Sequence, residues 1–202
     1  MDTFVAFDVA QDQFEETLLR VGHEQWDWPT PCSEWNVRQV ANHVAAAGDY
    51  FMALLQGASK EEALELVLAP DALLQPDPVG AFVAQRPALR ASFAAPGALD
   101  RIGHHVIADM TGTQLLDGCV AETTVHAWDI ANATGNELQM DPQLAELVFA
   151  TCQRLSPTFV EYGFTAPALA ISADEPAQAR LIAISGRQPL PTGPGSSQPV
   201  AG

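Results

Sequence analysis

Basic residues are scarce in this chain. Nine lysines and arginines stand against 25 aspartates and glutamates in 202 residues, a formal net charge of −16. Such a surface repels nucleic-acid phosphates and anionic membranes, so neither is expected as a partner. Cysteine is also scarce. Cys32, Cys119 and Cys152 are odd in number and lack zinc-ribbon or redox spacing. They suit a reducing cytoplasm rather than a disulfide framework. No apolar run is long enough to span a bilayer. The start, Met1-Asp2-Thr3-Phe4, has neither the basic region nor the apolar stretch of a signal peptide. The sequence lacks a Gly-x-Ser-x-Gly elbow, a phosphate-binding glycine loop, a dinucleotide fingerprint and a His-Glu-x-x-His step. Serine hydrolase, nucleotide-binding and zincin protease chemistry find no support.

What is present is apolar and periodic. The chain is 48% hydrophobic and 17% charged, which predicts a folded domain with a substantial core. The pattern is all-α. Apolar residues at helical spacing predict helices over about 7–22, 36–55, 78–95, 113–134 and 141–155, with short ones near 59–68 and 176–185. Pro87 predicts a kink or break in the helix that holds it. Residues 101–110 read as irregular or a short strand. The loop Trp26–Trp35 holds two prolines, so it is non-helical, and its three tryptophans predict that it packs down. The expected domain covers residues 1–189. Residues 190–202, rich in Pro, Gly and Ser, are expected to be disordered.

Chemistry concentrates on two predicted helices. Glu122 and His126 are four residues apart and share one helix face. His43 falls near one edge of the apolar stripe of the second helix. A carboxylate and two imidazoles aimed at one point would form a three-ligand metal site with a free position, the layout of a catalytic zinc. The competing reading is an ordinary buried network in which Glu122 pairs with Arg38 or a protonated His126. Asp129 could orient a ligand from behind or simply pair with an arginine. One of His104 and His105 could reach the site, although a surface position suits them better. Cys119 reads as a small buried hydrophobe, and His23 as solvated.

Two motifs resemble a known family. Thr30-Pro31-Cys32-x-x-Trp35-x-Val37-Arg38-x-Val40-x-x-His43 and His126-Ala127-Trp128-Asp129-Ile130-Ala131-x-x-Thr134-Gly135 resemble the mycothiol-dependent maleylpyruvate isomerase group of the DinB-like superfamily. Gly186-Arg187-x-Pro189 resembles the end of related actinobacterial proteins. The resemblance implies an up-down four-helix bundle with short additional helices and a divalent metal, zinc or nickel, in its core. Its metal ligands map onto His43, Glu122 and His126. It implies a low-molecular-weight thiol such as mycothiol as cofactor, and S-transfer or isomerisation of a small electrophilic substrate. Arg38 and Asp129 are the expected supporting residues. The isomerase carries a further C-terminal domain for which this chain has no length, so the scaffold carries over more readily than that one activity. A non-catalytic bundle that binds a metal or small ligand as sensor or carrier is the alternative. A structural bundle with a buried polar triad is a third. A homodimer is compatible with all three.

Overall fold

The computed structural model describes residues 1–68 and 74–190. The expected disordered tail falls, from residue 191 onward, outside the described residues. The described helices are α1 (Thr3–Leu19), α2 (Val37–Leu55), α3 (Lys60–Leu68), α4 (Pro78–Ala94), α5 (Gly112–Thr134), α6 (Pro142–Glu161) and α7 (Ala177–Ile184). A 3₁₀ turn over Ala98–Asp100 leads into a hairpin of β1 (Ile102–His104) and β2 (Asp109–Thr111). The strands are antiparallel, with His104 opposite Asp109.

Local chemistry sets the helix ends. Asp2 caps α1, its carboxylate accepting from the Phe4 amide at 2.9 Å, so the helix starts four residues before the expected boundary. Reciprocal capping boxes start the two helices that carry the candidate ligands, Asn36 with Gln39 on α2 and Thr111 with Gln114 on α5. Pro142 opens α6 behind its Asp141 cap. Neither internal proline ends its helix. Helix α4 runs through Pro87, and α6 passes Pro157 to reach Glu161 rather than stopping near 155. Each proline frees the carbonyl four residues back, at Val83 and Gln153. All four of these residues are exposed, so water can satisfy the freed carbonyls.

The core is the meeting of α1, α2, α4 and α5. Helices α2 and α5 lie side by side, α1 packs on α5 and α4 on α2. Phe14 of α1 meets Phe82 of α4 at 4.7 Å between ring centroids, and Phe7 meets Phe93 at 6.4 Å. With Leu54, Leu115 and Ile130 these side chains are buried almost completely. Each contributes roughly 1.5–3 kcal/mol of apolar transfer energy. Helices α6 and α7 pack together beside α5 through Leu144, Val148 and Leu181. The hairpin is pinned against α2 and α5 at Gly103, where an added Cβ would fall 2.7 Å from Leu115 Cδ1. Among the described residues, no helix is long and apolar enough to cross a membrane.

The tryptophan loop packs down in part. Trp26 and Trp35 are half-buried, but Trp28 is exposed, against the expectation for it. The backbone is nonetheless tied to α2. The Val37 amide donates to the Trp28 carbonyl at 3.0 Å and the Arg38 amide to the Trp26 carbonyl at 2.8 Å. The Thr30 hydroxyl donates to the Trp35 carbonyl at 2.7 Å. These bonds hold Trp35 against His43, with ring centroids 4.2 Å apart.

Candidate metal centre

His43 lies two turns into α2, and Glu122 and His126 lie one turn apart in the middle of α5. Because α2 and α5 adjoin, the three meet. His43 Nε2 is 2.6 Å from Glu122 Oε1, and His126 Nε2 is 3.2 Å from the same oxygen. One donor atom from each residue falls within 4.8 Å of the others. The imidazoles meet edge to face at 5.3 Å between centroids. Trp35 lies 4.2 Å from the His43 ring, tilted by 38°, and 6.1 Å from His126. The side chains grade inward: Glu122 is 30% exposed, His43 17% and His126 6%. The common point is thus open on the Glu122 side and closed behind His126.

The electrostatics follow from burial and from these contacts. Burial raises the Glu122 carboxyl, but the His126 and His43 imidazoles outweigh it and hold the group well below the usual carboxylate range. Burial lowers His126, yet Glu122 and Asp129 together hold it up at about 9. Glu122 faces Nε2 and Asp129 faces Nδ1, so both contacts favour the protonated ring, as the competing reading of a buried network would have it. A cation must displace the proton on Nε2, so binding is coupled to proton release.

The donor set fits a divalent cation. Two imidazoles and a carboxylate are borderline ligands of the kind zinc takes, and three protein ligands leave a position open. Asp129 supports this arrangement. Its fully buried carboxylate accepts from His126 Nδ1 at 2.8 Å, which leaves Nε2 as the ligand atom. His43 has no such support: its Nδ1 is buried without a partner. A second group, Cys32, His126 and Asp129, also brings its donor atoms within 4.8 Å. Arg187 occupies that side, with Nη2 3.3 Å from Asp129 Oδ2. Burial, with Asp129 nearby, pushes the Cys32 thiol up to about 12. A guanidinium and a protonated thiol make that side a poor cation site.

The other expected residues fall elsewhere. Arg38 makes no ion pair with Glu122. It pairs with Asp27 at 3.7 Å and lies over the Trp26 ring at 5.5 Å, held by the loop before α2. His104 is exposed and pairs with Asp109 at 2.8 Å. His105 packs among Tyr50, Phe51 and Phe159 and stays outside the metal-capable group. Cys119 is buried, as expected of a small hydrophobe. His23 is exposed. A cavity of about 390 Å³ opens between the hairpin and the start of α3, lined by Lys60, His104, His105, Asp109 and Tyr162 among others. None of the three candidate ligands lines it.

Trp35 and Arg187 stand in the motifs that carry the resemblance, but nothing in their local sequence marks either as part of the site. The available signal for Arg187 was Asp129 itself. An acidic residue among Ala127, Ile130 and Ala131 needs a cation, and few basic residues exist to supply one.

Residues 7–131 match the family described as the mycothiol maleylpyruvate isomerase N-terminal domain. Two uncharacterized proteins of Mycobacterium tuberculosis, from different strains, are each 31% identical over 160 residues, covering 79% of this chain and 82% of the relative. The fold matches the crystal structure of the mycothiol-dependent maleylpyruvate isomerase with a TM-score of 0.61 at 14% identity, over 83% of this chain and 73% of that one. A histidine-to-alanine mutant of that isomerase matches with a TM-score of 0.64 at 13% identity and the same coverage. The structural match shows a shared DinB-like helical fold, and the sequence match over residues 7–131 shows more: this chain belongs to the mycothiol maleylpyruvate isomerase N-terminal domain family.

Proposed function

We propose that the protein is a metal-dependent enzyme that uses a low-molecular-weight thiol of the mycothiol type for S-transfer or isomerisation of a small electrophilic substrate in the cytoplasm. The observation that carries this reading is the convergence of His43 Nε2, Glu122 Oε1 and His126 Nε2, with His126 Nδ1 tied to Asp129. The family membership supports the thiol. A divalent cation held there would supply Lewis acidity, which favours the thiolate form of a small thiol at neutral pH.

The chain's own residues do the rest. Glu122 contributes the single negative charge of the ligand set. With a divalent ion the site stands at net +1, and an anionic sulfur ligand brings it to zero. Neutrality matters in a partly buried site, where uncompensated charge is costly. The partial exposure of Glu122 marks the side from which small molecules arrive. Trp35 covers the His43 side and limits water there. Asp129 is better placed than Arg38 to act as the supporting residue.

Elemental analysis of protein purified without an affinity tag tests the metal, with about one equivalent expected. Thiol consumption, measured with mycothiol and a panel of electrophiles, tests the chemistry. Bound metal with no thiol consumption would favour the sensor or carrier reading. A metal-free protein that cannot be reconstituted would leave only the protonated polar triad.

A further inference from the structure

We infer that Arg187 is a positioning residue for this centre: acting through Asp129, it fixes the His126 imidazole so that Nε2 is presented to the cation. The inference rests on the proposed metal site and adds to it a residue beyond the stretch matched by the family, which ends at residue 131.

Asp129 is 0% exposed, and its neighbours on α5 are apolar. A buried carboxylate without a cation is costly, and removing one partner of such a pair leaves an uncompensated charge. Among the described residues, no lysine and no other arginine pairs with Asp129. A single oxygen, Oδ2, serves both neighbours, accepting from His126 Nδ1 at 2.8 Å and from Arg187 Nη2 at 3.3 Å. Asp129 Oδ1 and Arg187 Nε are both buried without partners. The carboxylate is therefore a bridge between the guanidinium and the imidazole, with little else to hold it.

The chain after α7 is shaped to deliver this arginine. At Gly186 the backbone takes a left-handed φ of +71°, and an added Cβ would fall 2.4 Å from the Ala166 carbonyl oxygen. Only glycine fits that turn without displacing its neighbour. The turn sends Arg187 toward α5, where Nη1 donates to the Ser185 carbonyl at 3.0 Å. The Leu190 amide donates to Asn132 Oδ1 at 2.9 Å, three residues after Asp129 on α5. Residues 185–190 thus form a strap fastened at both ends, with Arg187 between the fastenings. His43 is packed by Trp35 but lacks any partner at its own Nδ1, so hydrogen-bonded support behind an imidazole comes only from the Arg187–Asp129–His126 side among the described residues.

The test measures zinc affinity by competition with a chromophoric chelator, and follows the His126 Nδ1–H proton by NMR on ¹⁵N-labelled protein. Arg187→Met should weaken zinc binding about 10–100-fold, the usual cost of losing an outer partner of a ligand. The Nδ1–H resonance should broaden by exchange with water. Arg187→Lys keeps the charge and should bind zinc within about threefold of wild type, because charge compensation is what Asp129 requires. Combining Arg187→Met with Asp129→Asn should weaken zinc little more than Asp129→Asn alone, since residues acting through one another are not additive. If Arg187→Met fails to fold, Arg187→Gln, neutral and of similar length, takes its place with the same expectations. Zinc affinity within about twofold of wild type together with an unchanged Nδ1–H signal overturns the inference, because outer partners act on both. So does a lysine variant as impaired as the neutral one, since the arginine would then act by packing alone. A wild-type protein that binds no zinc would refute the metal reading instead, and the Nδ1–H signal would still judge Arg187.

Discussion

His105 offers a test of the packing around the hairpin that is independent of any metal. Its Nδ1 accepts from the Ile107 amide at 3.3 Å, so in the neutral ring the proton sits on Nε2. The half-buried ring is flanked by Tyr50, Phe51 and Phe159 at 5.4, 6.5 and 6.1 Å, with its remaining edge on the cavity beside the hairpin. Burial pushes it down to about 4, although Glu122 works the other way. In the unfolded chain it titrates near 6.5. Between these values the unfolded state binds the extra proton, so stability must fall as pH drops from about 6.5 to about 4. Between pH 7.5 and pH 4.5 the two values give a loss of ~2.5 kcal/mol from this residue. His105→Gln cannot take the proton but keeps an acceptor for Ile107. Urea unfolding of chelator-treated wild type and variant at both pH values isolates the effect, because the carboxylates common to both cancel. Wild type should lose ~2.5 kcal/mol more than the variant. Equal losses would show that the folded chain admits the charged ring, with water reaching it from the cavity side.

Three further outcomes follow from the site and its strap. Zinc at 100 times its dissociation constant should stabilise wild type by about 2.7 kcal/mol in the same urea assay, and His126→Ala should abolish both that gain and the bound metal by elemental analysis. Glu122→His should retain zinc at a site carrying one more positive charge, whereas Glu122→Ala removes a ligand; competition titrations giving equal affinities for the two would show that Glu122 is only a structural carboxylate. Truncation after Leu190 should leave zinc binding and unfolding unchanged, while truncation after Pro189 removes the amide bonded to Asn132 and should cost about 1 kcal/mol; a larger loss from the first truncation would mean that the last residues dock on the bundle.

The sequence by itself determined what is local or periodic. The four-residue step from Glu122 to His126 places both on one face of α5 whatever surrounds it, and Asn36, Thr111 and Asp141 start their helices through bonds to amides two or three residues on. The apolar stripes that build the bundle were legible for the same reason. Meeting across helices could only be conjectured from spacing: the family resemblance strengthened the pairing of His43 with Glu122, and the packing of α2 on α5 brings them to 2.6 Å, because nothing within α2 encodes its neighbour. Pro87, where a kink or break was expected, does not end α4, and α6 runs on through Pro157, since only the packed helix decides whether a freed carbonyl faces water. His104 and His105 are adjacent in the chain, yet one is exposed beside Asp109 and the other half-buried among aromatic rings. The choice of arginine was the least visible of all. Arg38 sits in the same motif as His43 but is drawn to Asp27 and Trp26, while Arg187, 58 residues beyond Asp129, supplies the cation. A buried carboxylate requires a cation, which composition alone makes plain, but which cation reaches it depends on where the strap after α7 crosses α5, and only the tertiary packing settles that.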